Sequence, residues 1–228
     1  LTYKPEILLL PIGSGNDFAR AIGSLGKPLE EIFSAFASGQ TKIIKSDVGL
    51  IRFRKNGENE FSERKFISSC GIGLDAFIAQ LSNRSSILKG LPLYLSSALK
   101  AIFTFKPMRL SIIIDGKEAE NGMIHLAAIG NTPSSGGGFH LTPEALIADG
   151  LHNLTVAKAM PVFSLLKLLP QAIHGTHIHD PRVKTHKFTE CHITLERPEF
   201  VHCDGEVLGD SIIEVIYKVI PENASFSA

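Results

Sequence analysis

The sequence predicts a short α/β segment followed by a larger antiparallel, β-rich domain with two helical insertions. Three observations carry that prediction. The apolar run Ile7-Leu8-Leu9-Leu10 leads through Pro11 into a Gly-rich polar loop and then into a helix start, which is strand–loop–helix order. From about residue 49 to 220 short β-type runs recur, and turn pairs such as Asn56-Gly57, Asp115-Gly116 and Asp149-Gly150 separate many of them. Helical stretches interrupt that pattern at about 73–105 and 161–174.

The first strand is expected over 6–10, stopped by Pro11. Gly13 and Gly15 permit backbone turns that other residues resist. Ser14, Asn16 and Asp17 then place a hydroxyl, an amide and a carboxylate in one loop. Phe18, Ala19, Ala21 and Ile22 follow with helical spacing, so Asn16 or Asp17 is expected to cap a helix near 17–23. Such a loop can present main-chain N–H groups to a phosphate, and a plain capped turn is the alternative. A second helix is expected near 28–38, ended by Gly39. Residues 42–51 read as a strand with a polar break at Ser46-Asp47. The β-type runs are 49–54, 64–70, 109–115, 122–130, 152–158, 183–187, 190–196, 199–203 and 212–220. The expected division is 1–45 for the α/β part, 46–220 for the β-rich part and 221–228 for a tail.

Composition narrows the function classes. The 228 residues carry 23 basic and 23 acidic side chains, which argues against a nucleic-acid binder driven by bulk positive charge. No apolar stretch of about 18 residues is present, so no transmembrane helix is expected. No signal peptide is expected either. Cys70, Cys191 and Cys203 lack metal-ligand spacing, and an odd number cannot all pair, which suits a reducing cytoplasm. His174, His177 and His179 do not match a zinc pattern and are expected in a solvated turn before Pro181.

Three motifs resemble the diacylglycerol kinase catalytic family, which includes bacterial lipid kinases and the sphingosine and ceramide kinases. Pro11 to Arg20 matches the pattern Pro-x-Gly-(Thr/Ser)-x-Asn-Asp-Phe-(Ala/Gly)-Arg at every position. Asn131 to Gly150 resembles the family's Asn, Gly-rich turn, Pro-x-Ala and acidic-Gly order. Val201-His202-Cys203-Asp204-Gly205-Glu206 carries its Asp-Gly-Glu signature. The resemblance implies the C-terminal part of an α/β nucleotide-binding domain followed by an antiparallel β-sandwich-like domain. It also implies ATP, Mg²⁺ and a diacylglycerol-like lipid hydroxyl as acceptor.

The same resemblance assigns roles. Gly13, Ser14, Asn16, Asp17 and Asp47 would bind the nucleotide, the last through the match Ser46-Asp47-Val48-Gly49. Asp17 and Asp47 would anchor Mg²⁺, and Asp149 would bind a structural Mg²⁺ despite Ala148 standing where many relatives have a second acid. Glu206 would be the general base, and Asp204 would orient it or bind metal through water. Two acids so close are expected to repel, raising one pKa. Gly71-Ile72-Gly73-Leu74-Asp75 resembles a Gly-x-Gly-x-Asp segment, with Asp75 left outside the site. Residues 86–109, apolar and basic with Ile87, Leu88 and Lys89 among them, suit either a core-facing helix or a face toward membrane or acyl chain.

The family's upstream Gly-Gly-Asp-Gly-Thr string is absent from this sequence, which begins at Leu1, so a preceding segment is expected. The expected setting is cytoplasmic and peripheral to the membrane, with lipid substrate at the membrane surface and strands able to pair across a homodimer. The alternatives are an NAD kinase-like phosphotransferase and a non-catalytic lipid-binding domain.

Overall fold

The computed structural model describes residues 6–84 and 90–227. The chain opens with β1 (Glu6–Leu8), α1 (Asp17–Ala21) and α2 (Leu29–Ala37). There follow β2 (Ile43–Lys55), β3 (Ser62–Phe66), β4 (Ser69–Gly73), α3 (Leu74–Asn83), α4 (Gly90–Thr104), β5 (Met108–Ile114) and β6 (Lys117–Gly130). Then come β7 (His152–Lys158), α5 (Val162–His174), a 3-10 turn (Thr176–His179), β8 (Val183–Phe188), β9 (Glu190–Cys203) and β10 (Glu206–Ser227). The order β3-β2-β10-β9-β4-β6-β7-β8 runs antiparallel throughout, and β1 adds in parallel beside the end of β10. The α/β start and the antiparallel β-rich remainder are the expected fold class.

The helical insertion at 74–107 has a specific topological cause. Strands β4 and β5 occupy one slot between β6 and β9, end to end. Gly73 stands opposite Leu126 of β6, and Met108 stands opposite Ile124. On the other side, β9 pairs with β4 through 201–203 and with β5 through 191–195. The chain therefore leaves the slot at Gly73, forms α3 and α4, and re-enters at the neighbouring register. A Cβ on Gly73 would lie 2.4 Å from the Met108 side chain, so the exit and re-entry points touch.

Several expected elements merge. The runs 42–51 and 49–54 are one strand, β2, and Ser46 to Gly49 are buried within it. The polar break survives inside a strand because both oxygens of the Asp47 carboxylate find donors, as set out below. Likewise 190–196 and 199–203 form one strand, β9; Pro198 falls between its registers with β5 and β4, where a missing N–H costs no ladder bond. Residues 221–227, expected as a tail, continue β10 and pair with β1 and β2. Asn16 does not cap α1 through its side chain. Ile87, Leu88 and Lys89 lie outside the described residues.

The main core lies among the β strands, with Ile51, Ile72, Ile112, Ile129, Leu154, Ile193 and Tyr217 all fully buried. A second core joins α3, α4 and α5 through Leu74, Ala101, Ile102, Leu165 and Leu168, against Ala157 and Val183. Helix α4 thus buries one face, while Leu99 and Phe103 are exposed. A small third cluster seats Phe18 and Ile22 of the first helical segment on Phe226 of β10.

His152 sits inside the main sheet, its ring 5.2 Å from that of Phe66 and 6.0 Å from that of Phe188. Neither ring nitrogen has a hydrogen-bond partner. Burial lowers its pKa from 6.5 to about 4. Between those values the unfolded chain takes up a proton that the folded chain refuses, so stability falls as pH drops from 6.5 toward 4. The full loss from this group is about 3 kcal/mol. His152→Phe is expected to remove that component, which denaturant unfolding of both proteins at pH 7 and pH 4.5 will measure. Equal pH dependence in the two would refute it.

Candidate functional site

A cleft of about 430 Å³ opens where the loop at 13–17 faces the hairpin at 202–206, with the corner at 67–69, Asp75 and Tyr94 completing its walls. Asn16 organises the first wall. It adopts a left-handed conformation, φ 53°, which its short polar side chain tolerates. Its Oδ1 accepts a hydrogen bond from Gly13 N at 2.9 Å, and its Nδ2 donates to the carbonyls of Gly13 and Pro11. The amide thus closes the loop on itself. Ser14 Oγ accepts from Gly90 N at 3.1 Å, which fastens the loop to the start of α4.

Asp17 joins this loop to the Gly-rich turn. One oxygen pairs with Arg20 Nη1 at 2.6 Å, and the other accepts from Gly137 N at 2.8 Å. The contact needs small residues: a Cβ on Gly15 would stand 3.3 Å from Gly137 N. Burial pushes the Asp17 carboxyl up, and the bonds from Gly137 and Arg20 pull it back part of the way.

The opposite wall is a two-residue hairpin. Asp204 and Gly205 both have positive φ, 48° and 82°, the geometry that an Asp-Gly pair favours between paired strands. The Asp204 carboxylate turns back over the corner between β3 and β4, where it accepts hydrogen bonds from the N–H groups of Ile67, Ser68 and Ser69 at 2.9–3.0 Å. Burial pushes its pKa up, against those three bonds. Asp204 therefore braces the turn. Glu206 is the exposed member, and it pairs with Arg64 of β3 at 2.6 Å. The expected repulsion between two adjacent acids does not govern the turn, because each carboxylate has its own donors.

Asp75 and His202 form the floor. Asp75, in the first turn of α3, shares a 2.9 Å hydrogen bond between its Oδ2 and His202 Nε2 on β9. An adjoining apolar cavity lies under α3, α4 and α5, and Asp75, Tyr94, Ser135 and Gly136 line both spaces.

Asp47 and Asp149 stand apart from this cleft. Asp47 is fully buried, and its carboxylate accepts from Gly150 N at 2.8 Å and Glu222 N at 2.7 Å. It faces the bulge of β10 between Ile220 and Ala224, so the structure does not bring it together with Asp17. Asp149 accepts from Leu151 N at 3.1 Å and faces Lys187 Nζ at 3.7 Å. Among the described residues no group of three or more His, Cys, Asp or Glu side chains is arranged to hold a metal. His177, expected in solvent, is buried and lines the apolar cavity.

Sequence reasoning placed Gly13, Ser14, Asn16, Asp17, Asp204 and Glu206 at one site, and all of them line the cleft. It left out Asp75, His202, Tyr94 and Arg64. The Gly-x-Gly-x-Asp segment was a signal for Asp75. The others lacked one, because their place depends on strand pairing and on the helical excursion.

A family model described as the YegS C-terminal NAD kinase beta sandwich-like domain matches residues 68–225. A diacylglycerol kinase of Mycobacterium tuberculosis is 29% identical over 199 residues, covering 87% of this chain and 62% of that protein. One from Bacillus subtilis is 26% identical over 211 residues, covering 92% of this chain and 65% of that protein. The chain thus spans somewhat less than two thirds of the length of these relatives. The crystal structure of a diacylglycerol kinase from Bacillus anthracis superposes with a TM-score of 0.70 over 99% of this chain and 69% of that one, at 20% identity. At that identity the likeness is one of fold.

Truncating Asp204 leaves three main-chain N–H groups without their acceptor. Asp204→Ala is expected to cost about 3 kcal/mol in denaturant unfolding, and Asp204→Asn less, since the amide keeps one acceptor oxygen. An alanine variant as stable as the parent would show that the carboxylate is no brace.

Proposed function

Because the chain belongs to the YegS C-terminal NAD kinase beta sandwich-like family, we propose that the protein is a lipid kinase that transfers a phosphoryl group from ATP to a lipid hydroxyl. The observation that carries this reading is the junction of two unlike spaces. A polar cleft lined by Asp17, Asp75, Asp204 and Glu206 adjoins an apolar cavity lined by Leu74, Ile78, Ile102, Leu165 and Leu168. An amphipathic acceptor fits that pair of environments, with its chain in the cavity and its hydroxyl in the cleft. The names of the relatives support the same chemistry.

The charge of the cleft supports a metal–nucleotide complex as the donor. Four carboxylates line it; Arg20 pairs with Asp17 and Arg64 with Glu206, while no lysine or arginine pairs with Asp75 or Asp204 among the described residues. The acids outweigh the bases at its walls, so the phosphates would arrive with a cation of their own. When bound, Mg²⁺ would neutralise charge on the transferring group, and Asp17 is the carboxylate on the nucleotide side of the cleft. The main chain of Gly13 to Gly15 and the Asn16-closed loop would shape that side.

Glu206 is the general base of this reading. It stands at the rim, exposed, with Arg64 beside it. It would take the proton from the lipid hydroxyl as the new O–P bond forms and the bond to the departing ADP oxygen breaks. Asp204 would hold the turn that carries it. Exposed Leu99 and Phe103 on α4, near Lys100, would meet the membrane surface from which the lipid comes. No helix among the described residues is long and apolar enough to cross a membrane.

Glu206→Gln in the full-length protein is expected to lower phosphoryl transfer about 10²–10⁴-fold, the usual contribution of a positioned base. Its melting temperature should hardly move, because the side chain is solvent-exposed. The assay is transfer of label from Mg²⁺–ATP to lipid. Near-normal turnover by the variant would remove Glu206 from the role, and no labelled lipid from the parent protein would overturn the kinase reading itself.

A further inference from the structure

We propose that the hydroxyls of Tyr94 and Ser135 hold an ester carbonyl of the acceptor, so that the site selects acyl glycerols over their alkyl ether counterparts. The inference rests on the lipid-kinase reading above and narrows its substrate class.

Among the described residues, Asp75, Tyr94, Ser135 and Gly136 line both the cleft and the apolar cavity. They form the neck that a lipid would cross with its chain in one space and its hydroxyl in the other. Tyr94 and Ser135 carry the side-chain hydroxyls of this neck, and among the described residues neither hydroxyl makes a hydrogen bond. The acids beside them are already engaged. Asp17 meets Arg20 and the Gly137 N–H, and Asp75 meets His202. The main chain of Ser135 is engaged too, since its N–H and its carbonyl both bond to Phe139. Its hydroxyl is what remains.

Packing of its ring, not a hydrogen bond, sets the place of the phenol. Tyr94 lies on the Gly-rich turn, where a Cβ on Gly136 would stand 3.0 Å from the ring and one on Gly137 3.5 Å. The hydroxyl reaches toward the last hairpin: a Cβ on Gly205 would stand 3.8 Å from Tyr94 Oη. Burial pushes the Tyr94 pKa up, and the charges of Asp17 and Asp75 push it the same way, so the phenol keeps its proton and can donate. Two unclaimed donors thus stand at the boundary between the spaces. In an acyl glycerol the groups between the chain and the free hydroxyl are esters, and an ester carbonyl can only accept. Drawn out of water, it is penalised unless it finds a donor. The Asp75 carboxylate cannot supply one, whereas Tyr94 and Ser135 can. An alkyl ether keeps the chain and the free hydroxyl but has no carbonyl to receive these bonds.

The test uses the full-length protein, Mg²⁺–ATP and two uncharged acceptors in nonionic micelles: 1,2-dioleoylglycerol and its ether counterpart, 1,2-di-O-oleylglycerol. Both offer the same free hydroxyl and chains of the same length and unsaturation. The parent protein should favour the ester by at least about fivefold in kcat/KM, the size expected of a neutral hydrogen bond made in a desolvated site. Tyr94→Phe, which keeps the ring on the Gly-rich turn, should narrow that ratio at least about threefold through loss on the ester. Ser135→Ala should narrow it at least about twofold in the same way. Equal use of both acceptors by the parent protein would overturn the selection while leaving the kinase reading intact, whatever the variants do. A folded Tyr94→Phe with an unchanged ratio, or with equal losses on both acceptors, would also overturn it. Should Tyr94→Phe fail to fold, an unchanged ratio in Ser135→Ala would have the same force. Label in neither acceptor would defeat the kinase reading and the selection together.

Discussion

A carboxylate taken out of water must find donors, and this protein meets that demand with main-chain N–H groups at its bends. Asp47 accepts from Gly150 and Glu222, Asp204 from Ile67, Ser68 and Ser69, and Asp17 from Gly137. Each carboxylate ties together segments far apart in sequence. Asp47 joins β2 to the loop after the Gly-rich turn and to the bulge of β10. Asp204 joins the last hairpin to the β3–β4 corner. Asp17 joins the first loop to Gly137. The bonds of Asp17 and Asp204 hold the walls of the cleft in register, beside the small apolar cluster of Phe18, Ile22 and Phe226.

That arrangement sorts the acids by their partners. Breaking the bonds of a carboxylate that meets two or three N–H groups would leave buried donors orphaned, so such an acid is fixed in place. Asp47 and Asp204 are of this kind. Glu206 differs in facing solvent and an arginine, and Asp75 differs in that its partner is a histidine side chain on the cleft floor. The difference between these acids follows from which donors each one meets.

Much of the fold was legible in the sequence because its signals are local. The strand–loop–helix opening, the helix at 162–174 and most β runs follow from periodicity and turn pairs. What escaped depends on long-range pairing. Ser46-Asp47 looks like a break in a strand until Glu222 and Gly150 supply donors from elsewhere. Residues 221–227 look like a tail until β1 and β2 flank them. At the site, the Asn-Asp and Asp-Gly-Glu motifs announced themselves, since each is a compact run of functional groups. His202 sits beside one of those motifs yet carries no signal, because its partner lies 127 residues away on α3.

The slot shared by β4 and β5 explains why the cleft and the apolar cavity adjoin. Both strands pair with β6 and β9, so the sheet is continuous whether or not the chain detours between Gly73 and Met108. The detour, α3 and α4, roofs the cavity and brings Asp75 and Tyr94 to the boundary. Two side chains of α3 tie it to the strand and turn that carry the Asp-Gly-Glu hairpin: Asp75 meets His202, and Asn83 Nδ2 donates to the Gly205 carbonyl at 3.0 Å. The Asp-Gly-Glu hairpin belongs to the sheet and the roof of the cavity to the excursion, and Asp75 stands where the two meet.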